Sequence, residues 1–322
     1  MATYKGIQGY TVQNLAADPT ASGAEGQLWY NSSTGKFKIA VAGAGAWASG
    51  GDLITPRNTL GAASNAPASA ALAFGGSPGS GSVAVTEEYD GTTWTEVADL
   101  TIAMYGMAGF GTQTAAVSAG GVTGTGPTPT GVDTWDGTSW TVATGIPTAI
   151  TNLSGTGTQT AGLIMGGTPP ASGTTAAVKY DGSTWTITGS LTTARWKTGA
   201  LGVQTAAFAA GGGPGTVNVE SFNGSTWSEE TNINTSRRGM GSSGTTALAM
   251  IYGGDIPPNT QVVTEQWNGT SWAEVGDLAT GRSALRGCGT TNTAALAIGG
   301  EPPGVVEEWS DPVYTAKTVT VS

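Results

Sequence analysis

The 322-residue chain contains no histidine, a single cysteine, and charged residues at only 11% of its positions. Without histidine it cannot form a Ser-His-Asp triad, use imidazole as a general acid or base, or build most catalytic zinc or copper sites. The lone Cys288 cannot form an intramolecular disulfide, and its small neighbours favour a buried residue over a reactive thiol. We therefore expect no metal, no cofactor and no enzymatic activity.

Two further classes of partner are excluded by charge and hydropathy. The formal net charge of −10 argues against nucleic-acid binding, which normally needs a basic surface that displaces counterions. No run of eighteen apolar residues is present, and the N-terminus lacks a basic stretch followed by an apolar one, so we expect neither membrane insertion nor a signal peptide. The 3.6-residue apolar period of long helices is also missing, which favours an all-β chain.

The chain does contain a motif that returns at a nearly constant step. It is first seen as TEEYDGTTW, residues 86–94, and the tryptophans that close its five copies are 46, 45, 42 and 45 residues apart. These are Trp94, Trp140, Trp185, Trp227 and Trp272. In each copy an aromatic residue ends one strand, Asp-Gly or Asn-Gly turns the chain, and Trp opens the next strand, which predicts a β-hairpin. A period of this length is typical of repeat architectures.

Each repeat predicts a four-stranded unit. A Gly-rich strand leads into a strand of small apolar residues that ends in Gly-Gly, and two more strands follow around the Asp/Asn-Gly turn. Both the Gly-Gly pair and the aromatic that closes the third strand occur six times. We therefore predict a six-bladed β-propeller over residues 47–312, with the repeated tryptophans packed between neighbouring blades.

The order of the strands also predicts how the ring closes. The sixth unit has its Gly-Gly and its third strand, VVEEW, but no following hairpin. Trp47 begins an unpaired strand at the other end of the chain, and Asp52, Leu53 and Arg57 follow it at the offsets seen after Trp272. We predict that the Trp47 strand completes the last blade. Tyr314 competes for the same place, and residues 313–322 are otherwise an edge strand or tail.

Residues 1–46 precede the repeats. GQLWYNSSTGKFKIAV, residues 26–41, predicts a hairpin around an Asn-Ser-Ser-Thr-Gly turn. The propeller does not need this hairpin, so we interpret residues 1–46 as an attachment segment.

Arg at the tenth position after Trp, an apolar strand into Gly-Gly, and an aromatic followed by Trp together resemble the Kelch repeat. The resemblance covers residues 47–309 and implies a propeller of four-stranded blades. Two units depart from the pattern, because Met104 and Ile150 stand where the others have Arg. Kelch-like propellers include both enzymes and binding proteins, so the resemblance implies a fold and not a function.

A second resemblance is more specific for function. GQLWYNSSTGKFKI is similar to the N-terminal hairpin of tail-fibre and related structural proteins of marine bacteriophages, and GTQTAA and EEYDGTTW are similar to their propeller repeats. The resemblance implies a virion structural protein on the tail or capsid surface, made in the bacterial host cytoplasm. It also implies contacts with other virion proteins through 1–46, a host-surface glycan or receptor as partner, and homo-oligomers.

Recognition is expected on one face of the propeller. The distance from the second Gly to the aromatic varies from 9 to 14 residues, in loops such as 122–131, 168–176 and 255–261, whereas the aromatic-to-Trp step is always five. Varied loops on a rigid scaffold are frequent binding sites, although such loops also drift in length without a function. Four arginines at the tenth position after Trp belong to the same face. Arg57, Arg195, Arg237 and Arg282 are candidates to bind carboxylates of a ligand, or else to bond loop carbonyls and a neighbouring blade.

Two other functions remain as alternatives. One is a capsid decoration or head-fibre protein. The other is a sialidase-like glycan hydrolase, because DGTTW is similar to the Asp-box of that family. The Asp-box has one more residue between Asp and Gly, however, and the acid and the Tyr nucleophile of such a site cannot be picked out from this sequence.

Overall fold

The computed structural model describes residues 12–19, 27–42, 45–124, 129–169, 172–311 and 314–319. The described residues contain β-strands and no helix, so the predicted all-β fold class is confirmed. They divide into two compact units, one made of the described residues within 46–310 and one of those within 1–45 and 311–322. Parts of three predicted segments, 1–46, 122–131 and 168–176, lie outside the described residues, as do four positions of 313–322.

The larger unit contains six antiparallel sheets of four strands each, and its architecture is β-propeller-like. We number the sheets by the position of their first strand and number the strands by their order in the sheet. Sheet 1 contains Gly61–Ala62, Leu72–Phe74, Thr86–Tyr89 and Trp94–Val97. Sheet 2 contains Ala108–Thr112, Ala115–Ala119, Val132–Trp135 and Trp140–Val142. Sheet 3 contains Ser154–Thr158, Ala161–Met165, Ala177–Tyr180 and Trp185–Ile187.

The remaining three sheets follow the same order. Sheet 4 contains Gly199–Val203, Ala206–Ala210, Val219–Phe222 and Trp227–Glu230. Sheet 5 contains Gly241–Gly244, Ala249–Tyr252, Thr264–Trp267 and Trp272–Glu274. Sheet 6 contains Arg286–Cys288, Ala294–Ile298, Val306–Ser310 and Ala46–Ser49. A two-stranded ribbon, Asp255–Ile256 with Asn259–Thr260, lies in one of the loops of variable length.

The fourth strand of sheet 6 comes from the other end of the repeat region. Ala46–Ser49 pairs antiparallel with Val306–Ser310, and Trp47 lies opposite Trp309. Tyr314, the competing candidate, belongs instead to the strand Tyr314–Thr318, which pairs with Lys36–Ala42 in the smaller unit. Sheet 6 therefore contains strands from both ends of the larger unit.

Five of the six repeated tryptophans donate a hydrogen bond from their own sheet to a neighbouring one. The indole N–H of Trp47 in sheet 6 donates to the Thr264 hydroxyl of sheet 5 at 2.9 Å, and that of Trp140 in sheet 2 donates to the Thr86 hydroxyl of sheet 1 at 3.0 Å. The indoles of Trp94, Trp185 and Trp272 donate to backbone carbonyls that follow the fourth strand of the preceding sheet. Their hydrogen bonds therefore hold neighbouring sheets together in addition to the apolar area that the rings bury.

Glutamines of the turns between first and second strands, GTQT or GVQT in sequence, form a second set of hydrogen bonds between sheets. The side-chain amide of Gln113 donates to the carbonyls of Ala71 and Tyr89, both in the preceding sheet. Gln159 and Gln204 repeat this pattern one and two sheets further on. Since one amide satisfies two backbone carbonyls, the motif fixes the spacing of adjacent sheets.

The smaller unit is a separate four-stranded sheet. Its order is Gln13–Leu15, Leu28–Asn31, Lys36–Ala42 and Tyr314–Thr318, and only the first pair is parallel. The buried Trp29 donates its indole N–H to the Asp18 carboxylate at 3.0 Å. Hydrogen bonds from Asn31 and Trp29 lower the pKa of Asp18. This carboxylate connects the loop that contains it to the hairpin Leu28–Asn31 and Lys36–Ala42.

Candidate functional site

The loops of variable length lie beside the connections that follow the Trp strands. In each repeat the residue eleven positions after Trp forms an antiparallel bridge with the residue that follows Gly-Gly. The bridges are Asn58 with Ser77, Tyr105 with Val122, Thr151 with Thr168, Trp196 with Gly213, Arg238 with Asp255, and Ser283 with Glu301. We call the surface formed by these bridged residues and their loops the loop face.

Four arginines beside the loop face are buried in ion pairs within the protein. Arg57, Arg195, Arg237 and Arg282 are each 0% exposed. Their carboxylate partners are Glu87, Glu220, Glu265 and Glu307, which are also buried and lie on the third strand of the sheet that follows each arginine. The Arg237–Glu265 and Arg282–Glu307 pairs have N–O distances of 3.0 and 3.1 Å. A ligand carboxylate would have to displace a buried protein carboxylate, so the expected ligand-binding role does not fit this geometry.

The same glutamates also organise the backbone before each arginine. The carboxylate of Glu87 accepts hydrogen bonds from the backbone N–H groups of Ile54 and Thr55, at 2.8 and 3.2 Å. The other three glutamates accept from the equivalent pairs of N–H groups. Burial lowers the pKa of Arg195, Arg237 and Arg282, while the paired glutamate opposes that shift. The four arginines therefore belong to a structural contact, a buried Arg–Glu pair whose carboxylate also binds two backbone N–H groups, that recurs in four repeats of the larger unit.

In the two repeats without arginine the acidic partner changes as well. In sheet 3 Ile150 stands at the arginine position and Val178 at the glutamate position, and both belong to one apolar cluster. In sheet 2 Met104 is paired with a shorter acid, Asp133, whose carboxylate still accepts from the backbone N–H of Thr101 at 2.9 Å. At this position of the repeat an arginine occurs only where a glutamate is present to neutralise it, as burial of a charge requires.

A series of backbone hydrogen bonds, which we call the belt, links the repeats. Its residues lie two positions after the arginine position of each repeat, which Met104 and Ile150 occupy in two of them. The belt residues are Thr59, Gly106, Asn152, Lys197, Gly239 and Ala284, and all have positive φ. Four of them, from Gly106 to Gly239, donate N–H to the carbonyl of the preceding belt residue, and Thr59 of the first repeat donates to Ala284 of the last at 2.8 Å. Four belt residues other than glycine hold left-handed backbone, which is unfavourable for L-residues, and the belt bonds offset that strain.

All six first strands, which follow the belt residues in the chain, contribute to one small cavity. Its volume is about 20 Å³, room for roughly one water-sized group. Ala62, Gly109, Gly155, Ala200, Ser242 and Gly287 line it, one from each sheet. Asn65, from the turn of sheet 1, donates its side-chain amide to the Gly202 carbonyl of sheet 4 at 2.9 Å, and its carbonyl oxygen accepts from Gly157 N–H of sheet 3.

Arg286 also lines this cavity and breaks the repeat. Its position, fourteen residues after Trp, holds Gly, Ala or Ser in the other five units: Gly61, Ala108, Ser154, Gly199 and Gly241. The guanidinium reaches from sheet 6 to the Met107 carbonyl beside sheet 2 at 3.4 Å and to the Leu285 carbonyl at 3.3 Å. No carboxylate pairs with it among the described residues, and burial lowers its pKa to about 10. Sequence reasoning missed Arg286, although alignment of the repeats contained this signal.

Two residues directly before the first strand of sheet 4 also bear on this cavity. Lys197 is a belt residue whose pKa is lowered first by burial and then by repulsion from Arg286. Thr198 follows it, lines the cavity and is 4% exposed, and its hydroxyl has no hydrogen-bond partner within the described part of the chain. The described ranges show no ion pair of Lys197. Asp255, which pairs with Arg238, is the one carboxylate that acts on Lys197, so positive charge is in excess here in an otherwise acidic protein.

The remaining candidate groups have structural partners. Asp90, Asp136 and Asp181 accept backbone N–H groups two and three residues on, and these bonds lower their pKa values. Cys288 is fully buried, and burial raises its pKa to about 12. Across the described residues no three Asp, Glu or Cys side chains converge as a metal site would need.

No protein-family model matches the chain, and no curated protein matches it significantly. None of the described residues forms a helix with the length and apolar character to span a bilayer.

Proposed function

We propose that the larger unit is a closed six-bladed Kelch-like β-propeller, with sheets 1 to 6 as its blades. The first strands of consecutive sheets lie in contact, and the first strand of sheet 6 contacts that of sheet 1. The belt supports the same closure, since Thr59 of the first repeat bonds to Ala284 of the last. The Trp47 strand completes sheet 6 and joins the two ends of the ring, as expected of an architecture that must protect its edges.

We propose that this propeller is the binding module of a bacteriophage virion structural protein, a tail-fibre or surface-fibre component without enzymatic activity. The observation that carries the proposal is the combination of a rigid scaffold with loops of unequal length on one face. The scaffold is tied by tryptophan, glutamine and Arg–Glu contacts between or within sheets, whereas the loops between second and third strands vary in length. Binding sites are commonly placed in this way on propellers and other rigid folds.

Residues 1–46 are proposed as the attachment segment, with other virion proteins as its partners. The hairpin Leu28–Asn31 and Lys36–Ala42 lies in its own sheet with the strand Tyr314–Thr318, separate from the six repeats. A division of this kind supports a protein with one unit for docking and one for recognition. The proposed partners of the loop face are a host-surface glycan or receptor, and the proposed assembly is a homo-oligomer on the virion surface after synthesis in the host cytoplasm.

Immunogold electron microscopy tests the virion assignment. Antibodies raised against the full-length chain are applied to purified particles from the cells that express it. Gold at the tail or at discrete fibres supports the fibre assignment, whereas gold spread regularly over the capsid supports the decoration or head-fibre alternative. Unlabelled particles in lysates rich in the protein would overturn the proposal.

An adsorption assay tests the recognition part separately. Purified chain is added to host cells before the virions, and free particles are counted after a fixed time. We expect the wild-type chain to slow adsorption, and a variant with the loop 255–261 replaced by a short Gly-Ser turn to do so less. Equal adsorption with and without the protein would contradict a role in host recognition while leaving the virion assignment intact.

A further inference from the structure

The exceptional residue of the repeat, Arg286, marks a site that the proposed virion role does not assign. At the equivalent position the other five repeats have Gly, Ala or Ser, none of which carries a charge. A guanidinium at this position adds five N–H donors in a fixed plane. The two carbonyls that it contacts use only part of this donor capacity, and neither supplies a negative charge.

The structural alternative is that Arg286 only forms part of the cavity wall and connects sheet 6 to the Met107 carbonyl beside sheet 2. A neutral side chain would do so without the cost of burying a charge next to a second cation. The four fully buried arginines of the larger unit each have a glutamate partner, whereas Arg286 is half-buried, so this protein neutralises guanidinium groups that it buries for structure. Arg286 lacks such a partner within the described ranges, which points to a negative charge supplied from outside the chain.

Lys197 and Thr198 extend the set of donors. Lys197 is half-buried in the belt, within electrostatic range of Arg286, Asp255 and Arg238. The buried Thr198 hydroxyl lines the same cavity without a partner among the described residues. Arg238 has a partner, because its Nε lies 3.4 Å from a carboxylate oxygen of Asp255. The groups free to meet a ligand are therefore a guanidinium, an ammonium and a hydroxyl.

We propose that Arg286, Lys197 and Thr198 form an oxyanion-binding site at the belt end of the central cavity. The cavity of about 20 Å³ admits one oxygen of the anion, and the rest of the ligand lies on the loop-face side of the belt. Carboxylate and phosphate groups both satisfy this chemistry, since both present oxygens to guanidinium and ammonium donors. The ligand is either a free small anion or the acidic group of a larger molecule such as a uronic-acid sugar.

Isothermal titration calorimetry at low ionic strength tests the site with the full-length protein. The probes are sodium phosphate and sodium D-galacturonate, and neutral D-galactose is the matched control for the sugar ring. Binding of phosphate with the same stoichiometry as galacturonate identifies a site for the oxyanion alone. Tighter binding of galacturonate, with none of galactose, identifies an acidic sugar. Both outcomes support the site, whereas no heat with either anion up to millimolar concentrations would overturn it.

Two variants that copy residues of the other repeats remove the charges without introducing a foreign side chain. Lys197→Asn copies Asn152, which has the same left-handed backbone in the third repeat, and Arg286→Ser copies Ser154. Each is expected to weaken anion binding about tenfold or more, as the loss of one charge-assisted hydrogen bond implies. Lys317→Asn, at an exposed lysine of the C-terminal strand, removes the same charge and should leave the affinity unchanged.

The variants also distinguish the site from a structural role for Arg286. If Arg286→Ser fails to fold, Lys197→Asn still tests the proposal, because its backbone conformation is already accepted in a neighbouring repeat. Unchanged affinity in Lys197→Asn and in a folded Arg286→Ser would overturn the proposal. The titration and the labelling of virions test different proposals. Absence of anion binding together with normal labelling of virions would overturn the anion site and leave the virion assignment intact.

Discussion

The side-chain amide of Asn65 donates to the backbone carbonyl of Gly202, 137 residues further along the chain, at 2.9 Å. Asn65 belongs to sheet 1 and Gly202 to sheet 4, which are three repeats apart. The Asn65 side-chain oxygen accepts from the backbone N–H of Gly157 in sheet 3, and its own N–H donates to the Gly111 carbonyl of sheet 2. One residue thus connects four of the six sheets.

Replacement of Asn65 by Ala should therefore destabilise the protein. The side chain bonds to one carbonyl of sheet 4 and one N–H of sheet 3, and its loss leaves both without this partner. We expect a loss of about 1–3 kcal/mol in the free energy of unfolding, measured by urea titration. Ser64→Ala removes only a hydroxyl that bonds to Asn65 and should cost less. A cost for Asn65→Ala no greater than that of Ser64→Ala would contradict the role of this tie.

The Arg57–Glu87 pair should behave as a coupled unit. Glu87→Val leaves a buried guanidinium without its counter-charge, and we expect a loss of about 3–5 kcal/mol in stability. The double variant Arg57→Ile with Glu87→Val copies Ile150 and Val178 of sheet 3, and it should be more stable than Glu87→Val alone. A double-mutant cycle from urea unfolding measures this coupling. Additive costs would show that the two side chains do not depend on each other.

The indole hydrogen bonds between sheets can be measured with a matched pair of tryptophans. Trp140 and Trp227 are 7% and 8% exposed, but within the described part of the chain only the Trp140 indole N–H has a partner, the Thr86 hydroxyl. Trp140→Phe should cost about 1 kcal/mol more than Trp227→Phe, because both lose similar apolar area and only the first loses a hydrogen bond. Equal midpoints of unfolding for the two variants would rule out a stabilising role for this bond.

The Trp47 strand should be needed for stability. Trp47→Ala removes a buried side chain from the strand that completes sheet 6, and we expect a loss of about 3–5 kcal/mol. Trp185→Ala, at the equivalent but less buried position of sheet 3, should cost less. The comparison is made by thermal and urea unfolding of both variants. A smaller loss for Trp47→Ala than for Trp185→Ala would argue against the proposed closure of the ring through this strand.

Acid should weaken the repeated turns. The folded-state pKa values of Asp90, Asp136 and Asp181 are lowered by the backbone N–H groups they accept. A carboxylate with a lowered pKa contributes stability that is complete above its unfolded value, near 3.8, and that is lost as the pH falls through its folded value. We therefore expect the melting temperature to fall below about pH 4.

Replacement of all three by Asn should reduce this acid sensitivity. Asn223 and Asn268 accept the same N–H groups in sheets 4 and 5 without titrating. The triple variant should therefore keep its turns at neutral pH and lose less of its melting temperature between about pH 5 and about pH 2. Replacement by Ala, as a control, should lower the melting temperature at neutral pH too. An unchanged acid response in the triple Asn variant would show that other carboxylates dominate it.

The local features of this protein were predictable from short stretches of sequence. Asp90 accepts from the backbone N–H of Thr93, three residues away, so the Asp-Gly turn and the flanking strands depend only on neighbours. Repetition multiplied this local signal, and the sequence by itself therefore determined the all-β class, the number of repeated units and the position of the Trp47 strand.

The partners of individual side chains were decided by the tertiary structure. The sequence placed four arginines beside the loop face but did not show that each meets a glutamate on the third strand of the following sheet. Trp47 and Thr264 are 217 residues apart, and Asn65 and Gly202 are 137 apart. Contacts over such separations depend on how whole sheets pack, because strand sequence sets which face is buried but not which neighbour fills it. Alignment of the repeats distinguishes Arg286 by its residue type, but only the tertiary structure shows that it lines a cavity and has no carboxylate partner among the described residues.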